Sequence, residues 1–219
     1  MTVAQSPILL DVPEALETER LIVRAPRWGD GAAVTAALRE SLDELRPWIP
    51  WAQSASSLEE NETICRQQRL RFLERTDLQF YLTLKENGAF VGSSGLHRID
   101  WNARTFELGY WVRTGFSGMG YVTEAVQGVT RFAVERLRAN RIEIRCDARN
   151  TRSSRVAERA GFTLEGTLRA ARTGVDGRLR RVATLRDLSR RIPPRPRGCA
   201  RVGPPRFTAA RAPSSRRDP

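Results

Sequence analysis

The segment Glu107-Leu-Gly-Tyr-Trp-Val-Arg-Thr-Gly-Phe-Ser-Gly-Met-Gly-Tyr-Val-Thr-Glu-Ala125 constrains this chain more than any other, because it runs an apolar strand through a glycine-rich turn into a helix. Val122, Ala125, Val126, Val129, Ala133 and Leu137 recur at helical spacing and give that helix one apolar face. Gly115, Gly118 and Gly120 let the backbone approach an anion with no Cβ in the way. The unpaired amides of the helix start point at the same place, and the helix dipole adds to their pull.

Three phosphate-binding patterns compete for this turn. A Walker loop requires Gly-Lys-Ser/Thr at its end, whereas Gly120 is followed by Tyr121 and Val122. A dinucleotide fingerprint wants Gly or Ala at Thr123 and an acidic residue about twenty positions on, a place Glu143 fills only weakly. A coenzyme A diphosphate loop remains. The alternative is a strand-to-helix turn whose glycines serve geometry alone.

Composition narrows the class. A chain of 219 residues with 40% apolar content can build one domain with a full core. It has no apolar run near the 18 or so residues of a membrane helix, and Met1 to Leu10 has no positive n-region or small-residue cleavage site, so a cytoplasmic protein without membrane contact is expected. Cys65, Cys146 and Cys199 are odd in number and widely spaced, which suggests neither a disulfide framework nor a metal site. Cys146 reads as a small buried hydrophobe.

A formal charge of +12 invites a nucleic-acid reading, but ten arginines against Asp187 and Asp218 place +8 of it in residues 186–219 and leave +4 for residues 1–185. The division is therefore a domain over 1–185 and an Arg/Pro-rich tail over 186–219 that buries too little apolar surface to order. Two accounts of the tail are open. It is a basic arm making weak contact with RNA or another polyanion, or an accidental extension, which the Arg/Pro/Ala bias of misread GC-rich codons favours.

Patterning predicts a strand at Leu21–Arg24, a helix around Asp30–Glu40 with Asp30 as N-cap, and a helix over Ser57–Leu73. Strands at Phe80–Leu84 and Phe90–Leu96 are joined through Asn87-Gly88, a hairpin signal. Strands at Thr105–Val112 and Arg141–Cys146 flank the helix of the glycine-rich turn. A short helix over Asn150–Ala160, with Gly161 at its C′ position, and a strand at Phe162–Leu168 follow; of the end, only Val182–Leu185 reads as a strand. Hairpin-paired strands followed by helix-linked ones imply a mixed α/β sheet.

Four segments carry a family resemblance: Leu16-Glu-Thr-Glu-Arg-Leu-Ile-Val-Arg-Ala-Pro26, Leu45-Arg-Pro-Trp-Ile-Pro-Trp-Ala52, the Gly109–Ala125 block, and Asn150-Thr-Arg-Ser-Ser-Arg-Val-Ala-Glu-Arg-Ala-Gly-Phe-Thr-Leu-Glu-Gly166. In order and spacing, over roughly residues 16–180, they resemble the GNAT superfamily of N-acetyltransferases and within it the RimJ/RimL branch, named for enzymes that acetylate N-termini of ribosomal proteins. The resemblance implies a GNAT fold, a mixed twisted sheet with antiparallel N-terminal strands and helices on both faces. It implies acetyl-CoA as co-substrate, no metal, direct transfer through a ternary complex, and a monomer or homodimer. The expected acceptor is a protein N-terminal α-amine, with an ordinary pKa near 8 against about 10.4 for lysine, so a weak base suffices. Two rivals stand beside it. One is a small amine such as an aminoglycoside or polyamine, for which Asp43, Glu44, Glu59 and Glu60 offer acidic groups; the other is a basic RNA- or ribosome-associated binding protein with an unused coenzyme site, supported by the tail.

Acetyl transfer needs a neutral nucleophile, a polarised carbonyl and a protonated leaving thiolate. In the Thr105–Val112 strand, Phe106, Leu108 and Tyr110 face one side and Glu107, Gly109 and Trp111 the other. Glu107 is the candidate general base, directly or through a water; its alternative is a pair with a neighbouring arginine. By resemblance, a backbone amide among Tyr110, Trp111 and Val112 stabilises the oxyanion, and the amides of Phe116, Ser117, Gly118, Met119, Gly120 and Tyr121 hold the diphosphate. Also by resemblance, Asn150 binds the pantetheine arm and Ser153, on the same helix face, gives the thiolate its proton. The plainer readings are an N-cap for Asn150 and a surface serine for Ser153. Trp48 and Trp51 line the acceptor slot or plug a loop onto the core. His97, the only histidine, is read as structural.

Three positions depart from the family pattern. Gly115 stands where the loop often has Gln or Arg, Glu124 would repel a diphosphate unless it points away, and Arg172 replaces a Glu found in some N-terminal acetyltransferases.

Overall fold

Leu78, Phe80, Leu82 and Leu84 alternate with Gln79, Tyr81 and Thr83, and every one of these residues is buried, so this strand lies inside a sheet covered on both faces. The computed structural model describes residues 6–187. In chain order the elements are β1 (Ala15–Glu17), β2 (Leu21–Arg24), α1 (Gly31–Leu45), α2 (Leu58–Glu74), β3 (Leu78–Leu84), β4 (Phe90–Asp100), β5 (Thr105–Val112), α3 (Tyr121–Glu135), β6 (Arg141–Asp147), α4 (Thr151–Arg159), β7 (Phe162–Thr173) and β8 (Leu179–Asp187). The strands form one sheet in the order β1-β2-β3-β4-β5-β6-β8-β7. Every neighbouring pair is antiparallel except β5–β6, whose parallel pairing requires α3 as the crossover. The expected mixed sheet with antiparallel N-terminal strands is the one found.

One core packs Phe80 edge-on between Phe72 and Phe132, at centroid distances of 5.4 and 6.0 Å, with Phe106, Leu108, Val126, Val129 and Ala157 around it. On the other face Val34, Ala37 and Cys65 of α1 and α2 cover Tyr81 and Phe90. Burial pushes the Cys65 thiol up to about 11 despite its 3.0 Å contact with the Tyr81 hydroxyl, so it behaves as a hydrophobe.

Several boundaries differ from the sequence reading. Asp30 occupies the N-cap place of α1, but its carboxylate is taken by the Arg24 guanidinium at 2.6 and 2.8 Å; the first amide of α1, Gly31, is met instead by Glu62 of α2 at 3.0 Å, which also accepts from the Gly29 amide before the helix at 2.9 Å. Ser57 caps α2 through a reciprocal capping box with Glu60. β4 continues to Asp100, and β7 and β8 form a long hairpin whose exposed arginines hide its strand periodicity. Arg186 and Asp187 belong to β8, paired with Glu143 and Phe162, so the boundary expected after Leu185 moves beyond Asp187. The tail from 188 and Cys199 lie outside the described residues.

Candidate active site

β5 and β6 are paired only at Thr105↔Arg141, Phe106↔Ile142 and Glu107↔Glu143. Beyond Glu107 the strands part. β6 continues against β8, and β5 runs on to Val112 with its β6-facing edge unpaired among the described residues. Free amides therefore occur in the Tyr110–Val112 stretch expected to stabilise an oxyanion, and a wedge opens between the strands.

The wedge is crossed by one side chain. The Tyr110 hydroxyl donates to the main-chain oxygen of Ser153 at 2.8 Å and lies 3.1 Å from Ser153 Oγ. Burial raises the Tyr110 phenol well above its ordinary range, so it stays protonated, a donor. Asn150 is the N-cap of α4, its Oδ1 accepting from the Ser153 amide at 3.0 Å. Its capping role and the position of Ser153 at the wedge are thus a single arrangement.

At the glycine-rich turn, Gly118 and Gly120 have φ of +81° and +82°, in the left-handed region. A Cβ built on Gly118 would meet nothing within 4 Å, so the space over the loop is open for an anion. The expected cradle narrows here. The Phe116 and Ser117 amides are spent on Arg113 and Thr114 carbonyls at 2.9 Å each, while those of Gly118, Met119, Gly120 and Tyr121 have no partner among the described residues. Glu124 turns away from the loop, as its charge requires: its Oε1 accepts from Thr18 Oγ1 and the Arg20 amide at 2.6 and 2.7 Å, and its Oε2 from Arg20 Nε at 2.7 Å. Partial burial opposes ionisation of Glu124, but these bonds hold its carboxyl below the usual range. Arg20 also donates to the Met119 carbonyl at 3.1 Å and stacks on the Tyr121 ring, so a cation stands at the loop although Gly115 supplies none. Gly115 has its own reason: its amide donates to Glu40 Oε1 at 2.7 Å, where a Cβ would be 2.9 Å from that oxygen. Arg113 and Thr114 are likewise held by Glu40 and Ser41, which docks the loop on α1.

The loop after α1 spans the mouth of the wedge. Trp51 packs edge-on against Trp111 of β5 at 6.4 Å, and Trp48 lies under the Arg149 guanidinium of the β6–α4 turn at 5.9 Å. Trp51 is 57% exposed. Glu107 points to the same face as Trp111 and has the arginine partners of its alternative reading, Arg98 at 3.2 Å and Arg145 at 3.9 Å. Arg172 pairs in register with Arg180 on the exposed β7–β8 hairpin. Sequence reasoning missed the Tyr110 side chain, Arg20 and Glu40 because each meets its partner across at least 43 residues of chain; the Leu16–Pro26 motif marked the Arg20 segment without saying what it touches.

Among the described residues no cluster of His, Cys, Asp and Glu is placed to hold a metal ion, and no helix is long and apolar enough to cross a membrane. The ribosomal-protein-serine acetyltransferase of Escherichia coli (strain K12) is 29% identical over 127 residues, covering 58% of this chain and 70% of that protein. YdaF of Bacillus subtilis (strain 168), named as a candidate ribosomal N-acetyltransferase, is 29% identical over 152 residues, 69% of this chain and 82% of its own length. In fold, the chain superposes with a TM-score of 0.73 on RimL, the ribosomal L7/L12 alpha-N-protein acetyltransferase in complex with coenzyme A, at 22% identity over 79% of this chain and 97% of that one. The microcin C7 self-immunity acetyltransferase MccE, in complex with acetyl-CoA and AMP, gives 0.74 at 20% identity over 80% and 97%. The acetyltransferase (GNAT) domain family matches residues 20–163, and with the parted β5–β6 pair, the glycine loop and α3 all inside that span, this chain belongs to the GNAT acetyltransferases.

Proposed function

We propose that this N-acetyltransferase moves the acetyl group of acetyl-CoA to the N-terminal α-amine of a protein. The observation that carries the reading is the wedge between β5 and β6, with free amides on the β5 wall and Ser153 of α4 facing them, reached across the gap by the Tyr110 hydroxyl. Open amides at Gly118–Tyr121 beside Arg20 fit a diphosphate, and the Asn150 side chain, its Oδ1 given to the cap, keeps its amide nitrogen for a pantetheine carbonyl. Acetyl-CoA supplies the acetyl thioester. A Tyr110–Val112 amide takes the charge that develops on the carbonyl oxygen, and Ser153, backed by Tyr110, returns a proton to the departing sulfur. Glu107 faces the acceptor side, its carboxylate held by Arg98 at 3.2 Å and Arg145 at 3.9 Å.

Support for a peptide acceptor comes from the two tryptophans at the mouth and from relatives named for ribosomal proteins. Two of the four acidic groups a polyamine would seek are engaged: Glu60 closes the α2 capping box and Glu44 accepts from Thr114 Oγ1 at 3.2 Å. An acceptor screen of N-terminal peptides against lysine peptides, polyamines and aminoglycosides, following coenzyme A release, tests the reading. Turnover confined to small amines would overturn it.

A further inference from the structure

Two glycines face each other across the β4–β5 ladder, Gly95↔Gly109, in the middle of a covered sheet. Facing glycines weaken a strand pair and call for a reason. The reason here is an imidazole. A Cβ on Gly95 would lie 2.9 Å from His97 Cε1 and 3.0 Å from Nε2; one on Gly109 would lie 3.0 Å from Cδ2 and 3.2 Å from Nε2. The His97 ring therefore lies over both glycines, on the face that carries Glu107, Trp111 and Trp51. A bulge directly after His97, with Arg98 in the left-handed region at φ +46°, breaks the ladder there, and bulges of this kind re-aim side chains. From the α2–β3 turn, Asp77 Oδ2 meets His97 Nδ1 at 2.7 Å. A carboxylate only accepts, so Nδ1 carries the proton, and in the neutral form of the ring the lone pair is on Nε2. Nε2 has no partner among the described residues, and it sits over Gly109, one residue before the Tyr110–Val112 amides.

We infer that His97, oriented by Asp77, is the general base that takes the proton of the acceptor amine. This rests on the acetyltransferase reading above. As the amine lone pair forms the N–C bond to the thioester carbonyl carbon, Nε2 accepts one amine proton; the C–S bond then breaks, and the sulfur takes its proton from Ser153. His97 gives its proton to solvent and Ser153 regains one from water, so the ring is unchanged over a cycle. The charged groups around His97 are Asp77 from the α2–β3 turn, its cross-strand partner Glu107 on β5, and the guanidiniums of Arg98 and Arg145 that hold Glu107.

His97 is the only histidine in the chain, so its ring nitrogens are read directly by two-bond ¹H–¹⁵N correlation on the full-length protein. The expected spectrum is an Nδ1–H tautomer, lost in Asp77→Asn; a neutral ring protonated on Nε2 overturns the inference. With whichever amine the parent protein turns over, His97→Gln should lower kcat/KM about 100-fold and erase its acid limb, with calorimetric acetyl-CoA affinity and thermal stability kept. Exogenous imidazole should restore part of the rate to His97→Ala, which a purely structural ring would not allow. A parent-like pH profile in His97→Gln, or an acid limb erased by Glu107→Gln instead, overturns the assignment. The ring spectrum needs no acceptor, so it judges His97 even if every peptide is left untouched, an outcome that sinks only the acceptor reading.

Discussion

The Tyr110 hydroxyl reaches across the parted strands to Ser153, 2.8 Å from its carbonyl oxygen and 3.1 Å from its Oγ. A side chain from β5 thus brings a half-buried phenol to the start of α4, where Arg155, Val156, Ala157 and Glu158 offer no tyrosine. Proton donation to a leaving group is worth on the order of 100-fold or more, so Ser153→Ala should lower kcat by about that factor with the acetyl-CoA KM nearly constant. Tyr110→Phe, which keeps the ring packing, should cost about tenfold. Steady-state kinetics check both, and parent-like kcat in Ser153→Ala would return that serine to the surface.

The open space over Gly118 gives the cleanest test of the diphosphate cradle. A Cβ there touches no protein atom, so Gly118→Val costs the fold only left-handed strain, about 1–2 kcal/mol, while placing a side chain in the proposed diphosphate site. Calorimetric coenzyme A affinity should fall more than tenfold, about 1.4 kcal/mol or more, in a protein that still melts cooperatively. Unchanged affinity would move the diphosphate elsewhere.

What was legible and what was not divides by sequence distance. β5, the glycine turn and α3 follow from local periodicity and from glycines at fixed spacing, and the observed bounds of β2 and β5 coincide with the expected ones. The Asn150 cap was legible for the same reason. Hidden were contacts between segments far apart in the chain: Arg20 against Met119, Glu40 against Gly115, Tyr110 against Ser153. His97 was read as structural because a lone histidine at a strand end says nothing of the carboxylate 20 residues earlier or of the two glycines beneath its ring. β8 was underestimated since arginines occupy its exposed positions, and only Val182–Leu185 read as apolar.

Glu62 couples α2 to the start of α1, the helix that leads into the Trp48–Trp51 loop. Amides of Gly29 and Gly31 and the Arg66 guanidinium hold its carboxyl at about 2, below the ordinary 4.5. A depressed folded-state pKa stabilises above the unfolded value and is lost as pH falls through the folded one. Glu62→Gln should therefore melt a few degrees below the parent at pH 7, and the gap should close as pH drops from 4.5 toward 2. A gap independent of pH would mean that packing, not ionisation, carries the contribution.

The end of the fold can be placed by truncation. Removing residues 188–219 takes nine arginines and Asp218, +8 of the total +12, yet leaves β8 whole. Melting temperature and acetyl transfer should then match the full chain, while any salt-sensitive RNA affinity should fall. Cutting three residues further in removes Leu185, which is 1% exposed and packed in the core, together with the Arg186↔Glu143 and Asp187↔Phe162 ends of two strand pairs. Losing a buried leucine alone costs about 2–5 kcal/mol, so this shorter chain should lose most of its stability. Loss of folding on removing 188–219 alone would show that the tail completes the domain, and loss of RNA affinity without any acetyl transfer in the parent would favour the binding-protein reading over the enzyme.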